Sequence, residues 1–163
     1  MSEMYEGIVF RSDEPAARAA FENVAVSLRL VRLADGVFGI HGYSGRGNAF
    51  DQTALEGVAE QLSSYVGRAI ALFYDNSCGI RVGVLYTGGR RGHVFGDGNA
   101  WWVPYGKDGP RFRANELRPD MEYECIFSAI DAGLEAIDAR PPLDAALVKQ
   151  AFCYDELGLA DRQ

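Results

Sequence analysis

The sequence predicts an α+β fold in a single domain, a mostly antiparallel sheet with helices packed on it. Three observations carry that prediction. Between Ala69 and Pro104, four short apolar runs are separated by clusters of Gly, Asn and Asp, the pattern of a β-meander over 69–104. Asp35-Gly36 joins two further β-like runs, a strong hairpin signal. Apolar residues at helical spacing then mark the segments on either side of the meander. The expected order is β-α-β-β-α-β-β-β-β-α-α within one unit, 1–163, with the helices on one face of the sheet.

Each element has a local reason. Tyr5 to Arg11 is a strand of β-formers, stopped by Ser12-Asp13-Glu14-Pro15. The same stop opens a helix, because Ser12 or Asp13 can cap it and Pro15 suits its first turn. Ala17, Phe21, Val24 and Leu28 recur on one face, and the helix is expected to run to about Ser27. Leu28–Leu33 and Val37–Tyr43 are the hairpin strands. Thr53-Ala54-Leu55-Glu56 reads as a capping box opening a second helix. Its apolar stripe is Leu55, Val58, Ala59, Leu62, Tyr65 and Val66, with Glu56, Glu60 and Gln61 opposite, and Gly67 ends it.

The meander follows. Ala69–Tyr74 is apolar on both faces and so is expected at the sheet centre, covered on both sides. Ile80–Tyr86 alternates, with one face less buried. Gly92–Gly96 and Trp101–Val103 complete the run, and Pro104 marks an edge or an exit. Tyr105 to Pro119 (105–119) is a loop with one short strand at Arg111–Arg113. Asp120 caps a third helix through Ile137. The breaker 140–142, Arg140-Pro141-Pro142, precedes a fourth helix from Leu143 to about Phe152. The tail beyond it is acidic, retains apolar residues, and is expected to dock on the domain.

The totals bound function more than they define it. The chain has 163 residues and a formal net charge of −7. Its sequence pI of about 4.8 disfavours nucleic acid, whose phosphates need clustered Lys and Arg. It favours a basic protein as the partner. No apolar run is long enough to span a bilayer, so no membrane partner is expected. The N-terminal residues lack the basic-then-apolar order of a signal peptide. Cys78, Cys125 and Cys153 are odd in number and widely spaced, neither a disulfide framework nor a zinc site, which points to a reducing cytoplasm. Cys78 reads as an inert turn residue and Cys125 as a small packed one.

Several residues invite chemistry. The glycine-rich loop 42–48 lies between a strand and a capped helix, where backbone N–H groups can cradle an anion. His41, Ser44 and Arg46 are the ligand-binding candidates there. The spacing matches neither a dinucleotide fingerprint nor a P-loop. Ser44 with His93 and an Asp is a near miss to a nucleophile elbow, because Arg46 stands where a glycine is needed. His41 and His93 with Asp75 or Asp97 lack metal-ligand spacing. The carboxylates Asp75, Asp97, Asp108 and Glu116 are expected in turns or loops, where Asp bonds local backbone. No catalytic set, metal or cofactor is expected.

The aromatic rim is the better surface signal. Trp101 and Trp102 are consecutive on a strand and must point to opposite faces. With Tyr105, Arg90 and Arg91 they form the candidate partner-binding set. The functional expectation is a non-catalytic, immunity-like interaction module. Its acidic groups Asp131, Glu135, Asp138, Asp155, Glu156 and Asp161 would cover a basic toxin site. The alternative is a small enzyme or an anion or phosphate-ligand binder that uses loop 42–48.

Overall fold

The computed structural model describes residues 4–24, 28–41, 52–75, 80–96, 128–154 and 160–161. Strand β1 (Met4–Arg11) leads into helix α1 (Glu14–Glu22). A hairpin of β2 (Arg29–Ala34) and β3 (Val37–His41) follows, then α2 (Gln52–Val66). Next come β4 (Arg68–Asp75), β5 (Ile80–Thr87) and β6 (Arg90–Gly96). Helices α3 (Ser128–Ala136) and α4 (Ala145–Tyr154) and the two-residue β7 (Ala160–Asp161) complete the described chain. The expected strand at Trp101–Val103, the loop 105–119 and the start of the third helix lie outside the described residues.

The seven strands form one sheet in the order β6-β5-β4-β1-β3-β2-β7, and every neighbouring pair is antiparallel. The steps from β1 to β2 and from β3 to β4 each pass through a helix and skip one strand. The first four strands therefore form two interlocked split βαβ units, the ferredoxin-like arrangement. The β5–β6 hairpin widens that core on one side and β7 on the other.

Strand alternation divides the interior into two cores. Ile8, Phe10, Phe38, Ile40, Ala71 and Phe73 face α1 and α2. Val9, Val31, Ile70, Leu72 and Tyr74 face α3 and α4. The helices thus cover both faces, which corrects the expectation of helices on one face. Ala69–Tyr74 already carried the reason: a strand apolar on both sides must be covered on both sides. The whole of that segment is buried, as expected.

On the second face, α4 approaches the sheet through one side chain. Phe152 packs over Gly7 of β1 and Gly39 of β3. A methyl group built on Gly7 would lie 2.5 Å from the ring, and one on Gly39 would lie 2.8 Å from it. Tyr5 meets the ring edge-on with centroids 5.4 Å apart and stacks on Tyr74 at 5.2 Å, and the His41 ring lies 5.2 Å from that of Phe152. A strand glycine here is a slot for a helix side chain.

Other sequence readings shift at their ends. Asp13 caps α1, accepting from the Ala16 amide at 2.8 Å. The helix stops at Glu22 rather than near Ser27. Asn23 closes it, its side-chain amide donating to the Ala19 carbonyl at 2.8 Å. Helix α2 begins at Gln52, ahead of the expected cap Thr53. Gly67 ends it with φ +94, as a C-terminal glycine should. Tyr65, expected in the buried stripe, is 58% exposed, whereas Glu56, expected opposite it, is buried.

Helix α3 ends in a Schellman pattern. The Asp138 amide donates to the Glu135 carbonyl at 3.0 Å and the Ala139 amide to the Leu134 carbonyl at 2.9 Å. Asp138 takes the left-handed position at φ 57, where glycine is usual. Two arginines from the sheet hold this end. Arg68 donates to the Ala136 carbonyl at 2.8 Å and to the Asp138 carboxylate at 2.7 Å, and Arg11 donates to the Asp138 carbonyl. Cations at a helix C-terminus oppose its dipole favourably. Asp138→Gly removes the backbone cost and the exposed ion pair together, so its unfolding free energy should change by less than about 1 kcal/mol. Asp138→Val should lower it by about 1–3 kcal/mol. Urea titration of the two variants checks both.

Candidate functional site

The described part of the expected partner surface is the start of β6. Arg90, Arg91, Gly92 and His93 are consecutive and exposed on β6, the last strand on that side of the sheet among the described residues. The β5–β6 register shifts between Val84 and Tyr86, so β6 is bulged there. His93 contacts Phe95 edge-on at 4.6 Å. Trp101, Trp102 and Tyr105 lie outside the described residues. The chain leaves β6 at Gly96, about 20 Å along the strand from Arg90.

Arg91 is engaged within the chain. Its Nε donates to Glu56 Oε1 at 2.9 Å, and the Tyr86 hydroxyl donates to the same oxygen at 2.5 Å. Two more bonds fasten the hairpin to α2. Gly89 N donates to Ser63 Oγ at 2.8 Å, and Gly88 N donates to the Gly67 carbonyl at 2.8 Å. Glu56 was therefore misread as a solvent-facing helix residue. It is a buried acceptor that clasps the β5–β6 hairpin to α2. Its spacing from Ser63, two helical turns along α2, was the available signal.

Burial and the Glu56 hydrogen bond push the Tyr86 phenol well above its ordinary range. Burial, with Cys153, Tyr74 and Asp131 nearby, does the same to Tyr5. An unfolded tyrosine ionises near pH 10. Both folded phenols resist ionisation, so the stability they contribute is fully present below about pH 10 and is lost as pH rises beyond it. The slope should approach about 1.4 kcal/mol per pH unit for each tyrosine. Tyr86→Phe should remove one share of it, as measured by denaturant midpoints between pH 8 and 11.

His41 closes β3 and is 8% exposed, with Phe152 against its ring. Ser44 and Arg46, its partners in the ligand-loop reading, lie outside the described residues, as do Asp97, Asp108, Glu116, Cys78 and Cys125. His93 is on β6, separated from β3 by β5, β4 and β1. At strand spacing that is about 19 Å, too far for His41 and His93 to share a metal. Among the described residues no three of His, Cys, Asp and Glu are grouped to hold a metal ion.

An open depression of about 560 Å³ lies at the opposite end of the sheet, beside the start of α1. Its charged walls other than Asp35 are already engaged. Arg32 pairs with Glu14 and lies 5.8 Å over the Phe38 ring. Arg11 holds the end of α3, and Asp13 caps α1.

The described members of the expected acidic surface, three carboxylates, are paired with two arginines. Glu135 meets Arg140 at 2.8 Å and Asp138 meets Arg68 at 2.7 Å. Asp131 lies 3.7 Å from Arg140 and accepts from the Ala145 amide at 2.8 Å. The side chain of Asp161, with Asp155 and Glu156, lies outside the described residues. Among the described residues, no helix is long and apolar enough to cross a membrane. Comparison with protein-family models, curated proteins and solved structures finds no match to this chain.

Proposed function

We propose that this chain is a non-catalytic protein-interaction module that binds a basic partner, in the manner of a bacterial immunity protein neutralising a toxin in the cytoplasm. The observation that carries the reading is the formal net charge of −7. Ionisable groups rarely occupy interiors unpaired, so a charge surplus of this size belongs to the surface. There it speeds encounter with a basic protein and discriminates against acidic ones.

The pairing of Asp131, Glu135 and Asp138 with arginines moves the acidic contact away from α3. Glu22, Asp35 and Glu60 are exposed carboxylates on α1, the β2–β3 turn and α2, and they are the better candidates in the described chain. Trp101, Trp102 and Tyr105 remain the proposed aromatic anchors, since rigid aromatics dominate binding energy where charge supplies the steering.

Tagged protein incubated with lysate of its native cell should retain one basic protein at 1:1 stoichiometry. Retention of the purified pair should fall at least tenfold between 50 and 500 mM salt, because screening weakens surface attraction. Trp101→Ala/Trp102→Ala should weaken it at both salt concentrations. A salt-independent partner, or an acidic one, contradicts the reading.

A further inference from the structure

We propose that the depression beside the start of α1 is a binding site for a free α-amino acid, whose carboxylate meets Arg11 and whose ammonium group meets Asp35. The inference stands apart from the electrostatic reading above, which uses Asp35 only as one of three exposed carboxylates.

The cavity and its charges carry it. The depression measures about 560 Å³ and is lined by the β1–α1 junction and the β2–β3 hairpin. That volume is in the range of small-molecule sites. Its charged lining residues are Arg11, Asp13, Glu14, Arg32 and Asp35. Three of them are satisfied by neighbours. Glu14 pairs with Arg32 and, at 3.5 Å, with Arg18. Asp13 is taken up by the first turn of α1, where it accepts from the Ala16 amide. Arg11 differs, because its one hydrogen bond goes to the Asp138 carbonyl, while the Asp138 carboxylate is paired with Arg68. Asp35 is exposed on the hairpin turn. Among the described residues neither Arg11 nor Asp35 has an ion-pair partner. One cavity thus presents one uncompensated cation and one uncompensated anion.

The fold holds these two charges near each other without joining them. Arg11 Nη2 lies beside the turn, 4.0 Å from where a methyl group on Gly36 would stand. The Ser12 amide donates to the Gly36 carbonyl at 3.0 Å, so the turn that bears Asp35 is tied to the junction that bears Arg11. The bond to the Asp138 carbonyl anchors the Arg11 guanidinium at the end of α3 instead of on Asp35. Its remaining N–H groups can take a carboxylate in a forked pair, and a carboxylate such as Asp35 takes an ammonium group. A simple anion would answer Arg11 and be repelled by Asp35, and a simple cation would meet the reverse. A zwitterion answers both, and an α-amino acid carries its two charges on one carbon. Groups already fixed in place lose little freedom on binding.

Calorimetric titration of the full chain at pH 7 with each of the twenty protein amino acids tests this. N-acetylated and C-amidated forms of the tightest binder complete the series. At least one free amino acid should bind saturably at 1:1, with a dissociation constant of about 1 mM or less. Blocking either its amine or its carboxylate should weaken binding about threefold or more, because one ion pair is lost. Asp35→Asn keeps a turn-forming residue before Gly36 and should weaken the free amino acid by a similar factor. Arg11→Gln should do the same, and should that variant not fold, Asp35→Asn and the blocked ligands decide. Absence of saturable binding by all twenty, undiminished binding of either blocked form, or undiminished binding by Asp35→Asn overturns the proposal. Retention of a basic protein from lysate bears on the earlier reading alone.

Discussion

The ring of Phe152 rests where two strands carry no side chains, and the second half of the domain depends on that contact. A sheet apolar on both faces is unstable until both are covered. The first face is covered by α1 and α2, whose chain positions place them there as crossover helices. The second is covered by α3 and α4, which lie between β6 and β7 in sequence rather than within a split βαβ unit. What fixes α4 is shape: Gly7 and Gly39 open a slot in the sheet, and Phe152 fills it between Tyr5 and His41. Interiors are packed densely enough that one methyl group in such a slot displaces the ring.

Polar groups fasten what the apolar contacts position. Glu56 accepts from both Tyr86 and Arg91, so one carboxylate joins α2 to β5 and β6. Arg11 and Arg68 reach from the ends of β1 and β4 to the end of α3. These bonds engage groups that the sequence left open to functional readings. Arg91 is a fastening for α2 as well as a member of the β6 rim. Asp131, Glu135 and Asp138 are each paired with an arginine. If the chain is the interaction module proposed above, its acidic character would rest on its remaining carboxylates.

Much of the fold was legible because it is local. The Asp35-Gly36 turn, the Asp13 cap, the Gly67 stop and the alternation of Ile80–Tyr86 each depend on a few neighbouring residues, and each appears where the sequence put it. Strand order was not legible, since it is set by crossovers whose direction no local pattern records. The two-sided cover was half legible: Ala69–Tyr74 demanded it, but helical periodicity cannot say which face a helix will meet. Glu56 was misassigned because a carboxylate on a helix flank is usually solvated, and its partners lie on another element. Gly7 and Gly39 carried an unused signal, since glycine inside a strand marks a close approach. Of the candidate site, His41, Arg90 and Arg91 could be placed. The sequence could not show that His41 would be packed against Phe152 or that Arg91 would be engaged by Glu56, because both contacts join residues far apart in the chain.

The slot is tested most directly by a double-mutant cycle of Gly7→Ala and Phe152→Leu, with unfolding free energy measured by urea titration. In an ordinary strand, Gly→Ala stabilises slightly through the unfolded chain. Here Gly7→Ala should destabilise by about 1–3 kcal/mol, because the added methyl meets the ring. Trimming the ring in Phe152→Leu should remove that penalty, so the double variant should be more stable than the sum of the single changes predicts by at least about 1 kcal/mol. Additivity within about 0.5 kcal/mol would show that Phe152 and Gly7 do not meet as described, and would contradict the account of how the second face is closed.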